Sequence, residues 1–123
     1  MTRADPLFRI AQRSSAPRRL SPEDRAMYTL FLQLRRRAGE PSSIEIFDSI
    51  PWQSALFQGR RVLFNLEFAG ESHAERAEIF AAEMGSVDWP LSGYFVADIT
   101  ADSMHARPAG TELRLSALII KDW

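Results

Sequence analysis

Apolar residues recur at helical spacing in two stretches of the chain and alternate with polar ones in others, so the pattern itself divides the sequence into elements. Met27, Leu30, Phe31 and Leu34 stand at i, i+3, i+4 and i+7, one apolar stripe of a helix. Its ends are marked as well. Ser21 suits the N-cap, Pro22 the first helical position, and Glu23 and Asp24 the positive end of the helix dipole. Arg35, Arg36 and Arg37 suit the negative end and Gly39 can stop the helix, which is therefore predicted over 21–38. A second helix is predicted from Ser72-His73-Ala74-Glu75, a capping-box spacing, to Gly85. Its buried side is expected to carry Ala77, Phe80, Ala81 and Met84.

Between and after these helices the period changes to two. In residues 60–69, Val62, Phe64, Leu66 and Phe68 alternate with Arg61, Leu63, Asn65 and Glu67, the signature of a half-buried strand. Ile44, Ile46 and Phe47 suggest a short strand, and 50–57, with Pro51 near its start and Gly59 beyond it, reads as a short helix or aromatic loop. Two further strands are predicted, from about 93 to 100 and from about 111 to 121. Residues 101–110, with Pro108 and Gly110, read as a long hairpin loop between them. Leu118, Ile119 and Ile120 are apolar on both sides of their strand, which implies an interior strand covered on both faces at that level.

This order predicts an α+β domain over 21–123 with a small mixed sheet of about four strands and helices packed on it. The closest architecture is ferredoxin-like or a related split β-α-β sandwich. A helical crossover should make the strands at 60 and 93 parallel and the last hairpin antiparallel. The second helix should cover one face, leaving the other to the first helix or to a second copy of the chain. Residues 1–20 show no sustained period. They mix Arg, Ser and Pro around Leu7, Phe8 and Ile10, and read as an extended basic arm that those three residues could anchor to the body.

Length and composition bound the class: 123 residues, 46% hydrophobic and 25% charged, fit one soluble domain and not two full-sized cores. With no cysteine there is no disulfide framework, thiolate metal site or cysteine nucleophile. No apolar run approaches the roughly 20 residues of a membrane helix, and Met1 is followed by a polar, arginine-bearing stretch, so cytoplasmic residence and no membrane partner are expected. The net charge of −1 conceals a strong asymmetry. Residues 1–37 hold nine Arg against three acidic residues, whereas the remainder holds six basic against thirteen acidic ones. Such a separation can steer an anionic partner, or bring the arm onto the acidic body of its own or another copy.

Chemical motifs are sparse, so a non-catalytic protein with no cofactor and no metal is expected. His73 lacks the second His at i+4 of a zinc helix and reads as a solvent-exposed or capping residue. Asp98, Asp102 and His105 would supply a carboxylate and an imidazole if a loop gathered them, although such residues are common in polar loops. Neither a glycine-rich phosphate turn nor a nucleophile elbow occurs. The leading expectation is a small protein-interaction module, working as adaptor, inhibitor or assembly subunit, with a protein partner or a homo-oligomer. Arg9, Arg13, Arg18 and Arg19 on the arm and Arg35, Arg36 and Arg37 on the helix would form its basic contact surface. Trp52 and Trp89 either fill the edge of the core or line an aromatic groove. A nucleic-acid binder using the arginine arm is the alternative, disfavoured because the acidic body repels a long phosphate chain.

Overall fold

In the computed structural model, which describes residues 20–122, the first element forms as its boundary residues dictate. Helix α1 spans Pro22–Ala38; the Ser21 hydroxyl accepts the Asp24 N–H at 3.0 Å, and Gly39, at φ +73°, donates its N–H to the Arg35 carbonyl. Its buried side is Ala26, Met27, Leu30 and Leu34. The chain continues as β1 (Ser42–Gln53), β2 (Gln58–Ala69), α2 (His73–Glu83) with a 3-10 turn at Met84–Ser86, β3 (Tyr94–Arg107) and β4 (Gly110–Lys121).

The four strands form one sheet in the order β1-β2-β4-β3. β2 and β3 run in the same direction, as the α2 crossover requires, but β4 inserts between them, so every neighbouring pair is antiparallel and the sheet is not mixed. This is a split β-α-β arrangement. The topology also repeats: each half is a helix followed by a hairpin. Pro22 and His73, which open the two helices, are 51 positions apart; Ser42 and Tyr94 are 52 apart, as are Gln58 and Gly110. Phe64 and Leu115, themselves 51 apart, are direct cross-strand partners at the centre, so an approximate two-fold axis passes through that pair.

Both helices lie on the same side. Val62, Phe64, Leu66 and Phe68 of β2 and Leu113, Leu115, Ala117 and Ile119 of β4 form one buried cluster with Met27, Leu30 and Leu34 of α1 and Ala77 and Phe80 of α2. The expectation that α1 or a second copy would cover the opposite face is therefore corrected for α1. Its apolar stripe requires an apolar surface along its length, and the other side of β2 and β4 is apolar only at Leu63, Leu118 and Ile120 and otherwise carries Arg61, Asn65, Glu67, Glu112 and Arg114.

Bulges explain the two misread strands. At Phe47 the register slips, so Ile44 and Ile46 face the core before it and Ser49 and Pro51 after it. No single period then runs through β1, and the segment expected as a short helix or aromatic loop at 50–57 is strand to Gln53 and a tight turn at 54–57. The Ser54 N–H donates to the Phe57 carbonyl at 2.8 Å across that turn. Pro51 is tolerated because β1 is an edge strand. Likewise β3 slips between Val96 and Asp98 and between Ala101 and Ser103, and runs on to Arg107, so the long loop expected at 101–110 shrinks to Pro108-Ala109.

The capping box at Ser72 also fails to form: Ser72 sits in left-handed backbone at φ 57° and caps nothing with its side chain. Arg76 takes over the junction. Its guanidinium donates to the Ala69 carbonyl at 2.5 Å and the Pro41 carbonyl at 3.1 Å and lies 5.6 Å from the Phe68 ring centre, tying α2 to the ends of β1 and β2.

Removing the Phe64 side chain, fully buried on the two-fold axis, should cost about 3–5 kcal/mol in urea unfolding of the Phe64→Ala variant. Leu56→Ala, in the hairpin turn and 77% exposed, should stay within about 0.5 kcal/mol of the parent.

Candidate functional site

With both helices on one side, every second residue of the strands points away from them. Pairing places these residues in rows across the sheet. At the end bearing the β1–β2 turn the first row is Trp52, Gly59, Ile120 and Phe95, and the second Ile50, Arg61, Leu118 and Asp98. Asp48, Leu63, Ser116 and Thr100 follow, then Glu45, Asn65, Arg114 and Ser103, and last Ser43, Glu67, Glu112 and His105. The face is thus apolar at one end and charged at the other. No described helix covers it.

The apolar end lies outside the main core. Leu118 and Ile120 are 8% and 5% exposed, yet neither belongs to the cluster beneath the helices. Trp52 and Leu63 are half-buried, and Ile50 and Phe95 at its margins are 45% and 39% exposed. Gly59 has a steric reason for its place in the first row: a Cβ there would stand 1.9 Å from the Ile119 carbonyl oxygen.

The charged end is loosely held. The Arg114 guanidinium lies 4.9 Å from the Phe47 ring centre, and Arg107 meets Glu67 at 3.5 Å in an exposed pair. The Asn65 amide oxygen is buried without a hydrogen-bond partner. Glu45, Asp48, Glu67, Asp98, Asp102 and Glu112 share the face with Arg61, Arg107 and Arg114, so its charge is net acidic. Arg61 forms no ion pair among the described residues.

The candidate acid-base group does not converge. Asp98, Asp102 and His105 belong to a strand and not to a loop, and Asp98 and His105 are separated along it by roughly 20 Å at the usual rise per residue. Asp102 accepts from the Ser116 hydroxyl at 3.3 Å and Asp98 from the Thr100 hydroxyl at 3.2 Å. Among the described residues no group of three or more His, Asp or Glu is placed to hold a metal ion. His73 is neither free nor a cap: Nδ1 lies 2.7 Å from the Thr111 hydroxyl and Nε2 3.2 Å from the Pro108 carbonyl, so the ring fastens the start of α2 to the β3–β4 turn.

The expected contact residues fall on different sides of the molecule. Arg35, Arg36 and Arg37 are exposed at the end of α1, in the helical layer; Arg37 pairs with Glu83 at 3.4 Å, whereas Arg35 and Arg36 form no ion pair among the described residues. Trp89 is buried in the core, with its indole N–H donating to the Met84 carbonyl at 3.1 Å. Trp52 lies on the uncovered face, so the two indoles share no groove. Arg9, Arg13, Arg18 and Arg19 lie outside the described residues. The patch of Ile50, Trp52, Leu63, Phe95, Leu118 and Ile120 was not anticipated as a unit, although the two-sided apolar run at 118–120 was its signal.

The helical layer is fastened over the same end of the sheet as the apolar rows. Arg60 bridges Glu23 of α1 at 3.2 Å and also donates to the Ser49 hydroxyl at 2.6 Å and the Ser49 carbonyl at 3.0 Å. Tyr94, at the start of β3, is buried there, and its phenol is held above its usual pKa by burial and then by the nearby charges of Glu23 and Asp24.

No family model, curated protein or solved structure matches the chain. No helix among the described residues is long and apolar enough to cross a membrane.

The Tyr94 shift fixes the sign of an alkaline effect. In the unfolded chain the phenol ionises near pH 10, while in the folded protein it stays neutral to higher pH. The unfolded state then binds fewer protons, so stability is full below about pH 10 and falls as pH rises towards the folded pKa. Chemical unfolding between pH 9 and about 11.5 should therefore show a shallower loss for Tyr94→Phe than for the parent; equal slopes would mean that Tyr94 does not carry the effect.

Proposed function

We propose that the chain is a small non-catalytic protein-interaction module whose contact surface is the uncovered sheet face. Its partner is an extended protein segment that carries apolar residues beside basic ones. The observation that carries this reading is the joined apolar end of that face, Ile50, Trp52, Leu63, Phe95, Leu118 and Ile120, bordered by carboxylates and covered by no described helix. Contiguous apolar surface rimmed by polar residues is characteristic of protein contacts, and Trp is the residue most often found at their energetic centre.

Dimensions support a macromolecular partner. Four strands at about 4.8 Å spacing and twelve residues at about 3.3 Å rise give a face of roughly 19 by 40 Å, long enough to take an extended segment of about twelve residues. The acidic rows select basic side chains and disfavour nucleic acid.

A photo-crosslinking benzoylphenylalanine placed at Phe95 should capture a protein chain in cells. The same probe at Ile79, exposed on α2, should not. With the partner so defined, Trp52→Ala should weaken its binding about 30-fold, the loss of roughly 2 kcal/mol expected of an anchor indole. Capture at Ile79 alone would move the interface to the helical layer, and recovery of nucleic acid in place of protein would favour the arginine-arm alternative.

A further inference from the structure

We infer that the first occupant of the uncovered sheet face is the chain's own N-terminal segment, residues 1–19, with Leu7, Phe8 and Ile10 over the apolar rows. This rests on reading that face as the contact surface, and gives the module a built-in competitor for its partner.

Chemistry is the first argument. The face asks for an extended segment that is both apolar and basic, and residues 1–19 combine Leu7, Phe8 and Ile10 with five Arg and a single acidic residue, Asp5. The acidic rows of the face, with Asp48 and Asp98 close to the apolar end, supply the opposite charge.

The point at which the chain joins the body is the second. Leu20 precedes the Ser21 cap of α1, and the first turn of α1 is fastened by Glu23 to Arg60, whose cross-strand neighbours are Pro51 and Ile119. Those positions adjoin Trp52 and Ile120 of the first apolar row. The segment therefore starts at the end of the sheet where the apolar rows lie, on the other side of the same strands.

Length is the third. Nine residues lie between Ile10 and Leu20, ten steps that span up to about 33–36 Å when extended, whereas the thickness to be turned is two layer spacings, about 20 Å. Residues 1–9 add about 30 Å, enough to follow most of a twelve-residue strand. A tether this short presents the segment at an effective concentration in the millimolar range, so even weak docking is populated. A partner must displace it, which lowers the partner's apparent affinity by the fraction of chains whose face is free.

The absence of cysteine makes the test direct. A nitroxide on Ala11→Cys in the full, isotope-labelled chain should cause a severalfold signal loss at the amides of Phe95, Leu118 and Ile120 and at the Trp52 indole, sparing α2. Adding Leu7→Asp, Phe8→Asp and Ile10→Asp should abolish that localisation. It should also raise partner binding severalfold. Broadening that is absent from the face, or unchanged by the three Asp substitutions, overturns the inference, and it does so even if the probe at Phe95 still captures a partner. In a mixture of spin-labelled chains with isotope-labelled chains lacking the nitroxide, transfer of the broadening would place the segment on a second copy and overturn docking within one chain. Localised broadening with only intrachain crosslinks at Phe95 would instead uphold the inference and count against the partner reading.

Discussion

The rest of the structure depends on the pairing of β2 with β4. These strands come from opposite halves of the chain, and their eleven-row antiparallel register, Gly59 with Ile120 through to Ala69 with Gly110, joins two hairpins into one sheet. Phe64 and Leu115 meet at its centre and point into the core. Every other apolar contact is arranged around that seam: α1 brings Met27, Leu30 and Leu34 to one half of it, and α2 brings Ala77 and Phe80 to the other. The register also fixes which residues face outward, because a slip of one position would exchange the two sides of the sheet. The uncovered surface is thus a consequence of the same pairing that forms the core.

Polar side chains then hold the layers in place through hydrogen bonds to backbone carbonyls and to other side chains. Arg76 takes up two carbonyls where β2 gives way to α2, His73 joins the start of α2 to the β3–β4 turn, and Arg60 secures the start of α1 through Glu23 and Ser49. Arg60 and Arg76 belong to no recognisable sequence motif, and the capping-box spacing around His73 does not form. Their role arises from contacts between segments distant in sequence, which local periodicity does not register.

What could be read from the sequence was what local physics decides. The limits of α1 followed from Ser21, Pro22 and Gly39, and the core side of β2 from its unbroken alternation. The strands β1 and β3 were read too short because bulges at Phe47, Ala97 and Asp102 shift the phase of alternation partway along, and both are edge strands whose outward residues are free to be polar. The same error dispersed the candidate group of Asp98, Asp102 and His105, which a loop would have gathered and a strand holds apart. Of the surface, the two-sided apolar run at Leu118, Ile119 and Ile120 was legible as a strand wanting cover on both faces. Its neighbours Trp52, Ile50 and Phe95 were not, since only the strand order brings them beside it.

That demand for cover is not met by the helices, and geometry explains why. Two helices side by side, each about 10 Å across, span about the 19 Å width of a four-stranded sheet. One side is then filled, and no helix among the described residues remains for the other. A sheet in this position usually resolves the matter by making its free side polar throughout, and the rows from Glu45 to His105 do so. The rows from Trp52 to Asp98 do not: Ile50 and Phe95 remain 45% and 39% exposed there, at a cost of about 25 cal/mol for each Å² of apolar surface left in water. Their restriction to the end where the helical layer begins, beside Leu20, to which the basic and partly apolar sequence of residues 1–19 is joined, is what a docking surface for such a sequence requires.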